Sequence, residues 1–144
     1  MTTRSVEWSP RLLMSGDLES VSAGWTHACA LLRGGKVHAW GRNNYSQCGR
    51  PVGAEVSEQD RTPQMHSSAA AELMAANVRK VVAGSEHCLC LTGDGRVVAW
   101  GWNEHGSCGT ELGECVPAPR ALQLGDHKVT DVFTGSAHSF ALIP

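Results

Sequence analysis

The chain has 144 residues, 12 basic and 14 acidic, for a formal net charge of −2. So even a balance leaves no electrostatic footprint for nucleic acid or an anionic membrane surface. The 42% of hydrophobic residues argues against disorder, and 16 Gly with aromatics skewed to Trp (5, against 2 Phe and 1 Tyr) argue against a helical bundle.

No apolar run approaches 18 residues, and the opening MTTRSVEWSP lacks a signal-peptide core, so the reading is a cytoplasmic protein with the nucleus as second compartment. The six cysteines (29, 48, 88, 90, 108, 115) fit that reading as structural thiols. Cys88-x-Cys90 lacks the two-residue gap of common zinc knuckles, and residues two apart on a strand share a face, so the pair packs as small hydrophobes. No metal and no cofactor are assigned.

In chain order, Pro10-Arg11-Leu12-Leu13 comes first, followed by VSAGWTHACALLRGGKVHAWGRNNYSQCG over 21–49. A second copy, VVAGSEHCLCLTGDGRVVAWGWNEHGSCG, occupies 81–109 and matches the first at 13 of 29 positions without a gap. The third, VFTGSAHSFALI over 132–143, keeps Gly135, His138 and Leu142 at the same offsets and is incomplete. Twelve of the 16 glycines lie in these segments, so the glycine excess belongs to the repeat.

Each copy reads as β. Ala28 to Leu32 and Cys88 to Leu91 are short apolar runs, and Arg33-Gly34-Gly35 and Gly93-Asp94-Gly95 are turns that tolerate positive φ. Lys36 to Trp40 and Arg96 to Trp100 return as strands. Trp-Gly and Cys-Gly then bracket polar loops at Arg42 to Gln47 and Trp102 to Ser107. Pro63-Gln64-Met65 and Pro119-Arg120-Ala121-Leu122 precede the second and third copies. Between the first two copies, 50–77 is an insert loop in which SSAAAELMAAN suggests a short helix capped by Ser68. The fold expected is all-β: propeller blades of four-stranded antiparallel sheets, about two and a half repeats over 1–144, a partial β-propeller.

The pattern G-x-x-H-x-x-A-L, Gly turn, V-x-x-W-G-x-N, C-G resembles the regulator of chromosome condensation repeat, whose members form seven-bladed propellers. Ser22 to His27, Ala83 to His87, and the stretch Trp100 to Gly109 with its GWNEHG core look like late blades of one branch. That branch holds secretion-regulating guanine nucleotide exchange factors and fungal relatives acting in diphthamide synthesis and with the Elongator tRNA-modifying complex. The resemblance implies a protein–protein interaction module of a propeller-type regulator, with guanine nucleotide exchange on a small GTPase as its finer form. The alternative is a non-catalytic scaffold binding a diphthamide-pathway protein. A light-sensing member of the family stacks Trp at the Gly-Trp-x-His position; here Ser85 and Ser136 follow Trp25, which argues against light sensing.

His27, His87 and His138 recur at one offset, which suits a structural role better than catalysis. Gly24, Gly41, Gly84, Gly101 and Gly135 recur likewise, and Trp40 and Trp100 read as core anchors whose indole N–H needs an acceptor. The positions that break the repeat are the candidates for contact with a partner: Trp25, Thr26, Arg42, Tyr45, Glu86, Trp102, Glu104 and His105. No phosphate loop, dinucleotide fingerprint, zinc-protease helix or nucleophile elbow is present. No catalytic residue, direct nucleic-acid contact or membrane contact is assigned. Two and a half blades leave two blade faces uncovered, so the chain reads as a fragment of a longer propeller or as an arc that self-associates.

Overall fold

The structure, a computed structural model, describes residues 16–53, 77–111 and 113–144. The first sheet has the order β1(Leu18–Ala23), β2(His27–Leu32), β3(Lys36–Gly41), all antiparallel. The second is β4(Val78–Ala83), β5(His87–Thr92), β6(Val97–Trp102), β7(Cys115–Ala121), and the third is the pair β8(Asp131–Thr134), β9(Ser139–Leu142). No helix occurs among the described residues, and the short helix expected within 67–77 lies almost wholly outside them.

The repeat in sequence is a repeat in register. Val21 pairs with Ala30 and Ala28 with Trp40 in the first sheet; Val81 with Cys90 and Cys88 with Trp100 do so in the second. Even the irregularity is copied, at Leu18/Ser20 and again at Val78/Lys80. The turns behave as their residues require, with Gly34 at φ 91°, Gly35 at 82° and Gly95 at 87°, where a Cβ would be strained.

The segment written ahead of the third copy closes the sheet before it. Arg120 of β7 lies opposite Ala99, and Val116 opposite Gly101. Pro117 and Pro119 lack a backbone donor and are tolerated because β7 is an edge strand among the described residues.

The sheets stack face to face around one hydrophobic core. β5, in the middle sheet, is buried along its whole length, whereas β1 is mostly exposed. Leu31, Cys29 and Ala39 of the first sheet meet Val78, Val81, Leu89, Leu91 and Trp100 of the second, with Val132 of the third in the same cluster. β1, β4 and β8 run along one edge, where polar groups tie neighbouring sheets. Ala83 N–H donates to Ser22 Oγ (2.9 Å), Thr134 Oγ1 donates to the Ala83 carbonyl (3.0 Å), and Lys80 Nζ meets Asp131 at 2.6 Å.

Candidate partner-binding face

Antiparallel order puts the β1–β2 loop and the loop after β3 at one end of the first sheet. The β4–β5 loop and the loop after β6 occupy the same end of the second. These four loops, with Trp102 at the end of β6, hold every repeat-breaking residue named above. Their backbones are locked first: Arg42 N–H donates to the Thr26 carbonyl (2.8 Å), Trp102 N–H to the Glu86 carbonyl (2.9 Å), and Trp25 N–H crosses to Ser85 O (2.9 Å). Gly41 (φ 107°) and Gly101 (φ 104°) make this approach feasible, because a Cβ there would overlap the same carbonyls.

Side chains then join the two sheets. Glu86 accepts from Thr26 Oγ1 (2.9 Å) and from Gln47 Nε2 (2.5 Å), so one carboxylate of the second sheet holds two loops of the first. Tyr45 approaches Trp102 at 6.3 Å between ring centroids, and Trp102 meets His105 edge-on at 5.2 Å. Trp25 is 76% exposed, and Arg42, Glu104 and His105 also face solvent. Glu104 borders an open, acidic depression of about 530 Å³ with Glu111 and Glu114. The structure thus gathers these residues at one end, but Thr26 and Glu86 are already occupied as ties between sheets. Trp25, Arg42, Glu104 and His105 are exposed, and Tyr45 and Trp102 partly so.

The recurring residues form the framework beneath. The His27 imidazole lies over Gly24 and that of His87 over Gly84, where any Cβ would overlap the ring. His27 Nε2 lies 3.1 Å from Cys88 Sγ, and His87 Nε2 lies 3.0 Å from Ser139 Oγ, so each imidazole reaches the strand after the next His. Burial lowers the pKa of both rings, that of His87 to about 4, and raises the Cys88 thiol well above its ordinary value. His27 and Cys88 are therefore a neutral hydrogen-bonded pair, not a thiolate–imidazolium nucleophile. His138 is exposed. Trp100 is fully buried with its Nε1–H on the Gln47 carbonyl (2.9 Å), while Trp40 is half-buried.

Each polar loop is also braced from within. Asn43 Oδ1 accepts the Cys48 N–H and Asn103 Oδ1 the Cys108 N–H, both at 3.0 Å. The Cys48 and Cys108 thiols turn back to the carbonyls of Arg42 (3.4 Å) and Trp102 (3.3 Å), and burial pushes their pKa values up to about 11 and about 12. Gln47, Ser22 and Ser139 went unnoticed in the sequence. Their signal was weak, since Gln47 and Ser107 differ in side chain and act in part through their carbonyls.

Stacked antiparallel sheets related by a repeat of sequence and register define a protein built from β-propeller blades. The chain belongs to the regulator of chromosome condensation (RCC1) repeat family, two profiles of which match residues 19–47 and 78–107, and 34–91 and 94–142. Among its relatives, the secretion-regulating guanine nucleotide exchange factor of Bos taurus is 36% identical over 92% of this chain and 30% of its own length. The E3 ubiquitin-protein ligase HERC2 of Homo sapiens is 33% identical over 84% of this chain and 2% of its own. Among solved structures, Prp20p of Saccharomyces cerevisiae, described with its binding to Gsp1p and histones, superposes with TM-score 0.66 at 29% identity over 88% of this chain and 28% of that one. The chain thus spans less than a third of each.

Proposed function

We propose that the chain is a protein-binding module whose loop end, bearing Trp25, Arg42, Tyr45, Trp102, Glu104 and His105, docks a folded partner, and that the partner is a small GTPase. The observation that carries this reading is an exposed Trp25 at the same end of the sheets as the Tyr45–Trp102–His105 ring cluster. Large aromatics on rigid loops are the side chains that dominate binding at protein interfaces. The exchange-factor names of relatives support a regulatory role, and Prp20p is described as binding Gsp1p and histones. HERC2, a ligase, carries the same repeat, so the repeat by itself does not entail exchange.

Exchange requires that the nucleotide-free GTPase be held more tightly than the loaded one. The test is to immobilise the chain and offer a panel of small GTPases in both states. Preferential retention of a nucleotide-free GTPase supports the proposal. Equal retention of both forms points to a scaffold, and no retention overturns the GTPase reading. Trp25→Ala, at an exposed site, is expected to weaken binding by roughly 30-fold, as for an interface hot spot of about 2 kcal/mol, with no change in melting temperature.

A further inference from the structure

The loop end is divided by charge. Residues 20–54, which supply most of the first sheet and the loop after β3, hold Arg33, Lys36, Arg42 and Arg50 and no Asp or Glu. Residues 97–119, from β6 into β7, hold Glu104, Glu111 and Glu114 and no Lys or Arg. Strand order puts Arg33 and Lys36 at the opposite, turn end of the first sheet, so Arg42 and Arg50 are the cations of its loop end. Arg42, Glu104, Glu111 and Glu114 are exposed, and Arg50 is half-buried.

Arg42, Glu104, Glu111 and Glu114 have no ion-pair partner among the described residues; the pairs Lys80–Asp131 and Arg96–Asp94 lie elsewhere. Glu86, on the boundary between the two halves, is taken up by Thr26 and Gln47. Along the same boundary run the rings, with Tyr45 of the first-sheet loop against Trp102, and His105 beyond it. Stacked sheets pack about 10 Å apart, so the basic and acidic halves are separated by about that distance. The Debye length at physiological salt is about 8 Å, so a molecule in contact with this end meets one sign of charge over each loop.

We propose that this division orients the partner. The loop end takes a protein surface with carboxylates where it meets Arg42 and Arg50, and Lys or Arg about 10 Å away where it meets Glu104, Glu111 and Glu114. Apolar side chains of that surface lie between, over the rings. The inference rests on the loop-end docking reading and adds to it the chemistry and direction of the bound surface. A uniformly anionic occupant, such as nucleic acid, is repelled by the acidic half, and a uniformly basic one by Arg42 and Arg50. A mixed surface docked the wrong way round sets like charges together at both loops, so the division acts by exclusion as well as by attraction.

The probes are two peptides of one composition and opposite order, acetyl-RRGGDDC-amide and acetyl-DDGGRRC-amide. Their charged blocks lie about 10 Å apart, at roughly 3.3 Å per extended residue. Each carries a nitroxide on its Cys and is titrated into the isotope-labelled whole chain at about 0.01 M salt, with line broadening of backbone amides as the readout. The first peptide is expected to broaden amides most strongly at 42–45, where its acidic end lies, and the second those at 103–106. Raising the salt to about 1 M, where the Debye length falls to about 3 Å, is expected to weaken both at least tenfold. Arg42→Glu together with Glu104→Lys, both at exposed positions, is expected to abolish the difference between the peptides with the melting temperature unchanged. Should that variant not fold, Arg42→Gln with Glu104→Gln serves in its place and at least halves the difference. No broadening at the loop end, broadening of the same loop by both peptides, or a difference that survives in the variant overturns the proposal. No GTPase enters these measurements. A chain that orients the peptides but retains no GTPase overturns the GTPase reading alone, and one that retains a GTPase but does not orient the peptides overturns this inference alone.

Discussion

At the residue scale, His27 and His87 do what a recurring histidine in a stacked-sheet protein can do best: fill the hollow above a glycine and reach across to the next sheet. Both are held neutral by burial, and His27 lowers His87 further, which leaves a pH signature. Between the unfolded value near 6.5 and the folded value of about 4, the unfolded chain binds a proton at His87 that the folded chain does not. Stability therefore rises with pH across that window and falls as the pH drops below about 6.5, by up to about 1.4 kcal/mol per unit for each such histidine. A series of thermal melts is expected to show a melting temperature falling from pH 7 to pH 5. His87→Asn is expected to be less stable at pH 7 and to lose less over the same interval. An equal loss in both proteins contradicts the role given to His87.

At the scale of elements, one carboxylate adds to the ties between the first two sheets. Glu86 receives Thr26 and Gln47, and the loops that carry all three also hold the aromatic cluster. A double-mutant cycle with Thr26→Val and Glu86→Gln, read by denaturant unfolding, is expected to give a coupling energy of about 0.5–1.5 kcal/mol. A coupling near zero would mean that Thr26 and Glu86 do not tie the sheets. Thr26 and Glu86 also show where a reading from repeat-breaking positions goes astray: a residue can depart from the repeat because it pairs with another departure. Thr26 faces Glu86; one repeat on, the matching pair is Glu86 and Ala137, and an alanine side chain can form no such tie. Trp25, by contrast, breaks the repeat and is 76% exposed.

At the scale of the whole molecule, stability is graded along the stack. The middle sheet has neighbours on both faces, and its strand β5 is buried throughout; the third sheet is a two-stranded pair with exposed Phe133, Phe140 and Leu142. Hydrogen exchange is expected to be slowest in β5 and β6 and fastest in β9 and β1, by two or more orders of magnitude on the scale from local to global opening. Uniform protection across the three sheets would show that the stack opens as one unit. The interface between the first two sheets is sealed by Trp100, and a cleft of about 420 Å³ lies beside β9.

What can be read from this sequence alone is what short-range physics controls. The period and the strands on either side of Arg33-Gly34-Gly35 and Gly93-Asp94-Gly95 follow from turn chemistry and from apolar positions a few residues apart, and the family from the resemblance of the repeated motif. Even the edge character of β7 is written in Pro117 and Pro119, though not the sheet to which it belongs, because pairing with β6 rather than β8 depends on the path of the intervening chain. Contacts between residues 39 to 61 apart lay beyond such reasoning. That Glu86 holds Gln47, that Cys88 and Ser139 receive an imidazole, and that a cleft opens beside Ser107 were decided only when the sheets stacked. Stacking brings together side chains whose partners are set by the offset between repeats, not by their neighbours in the chain.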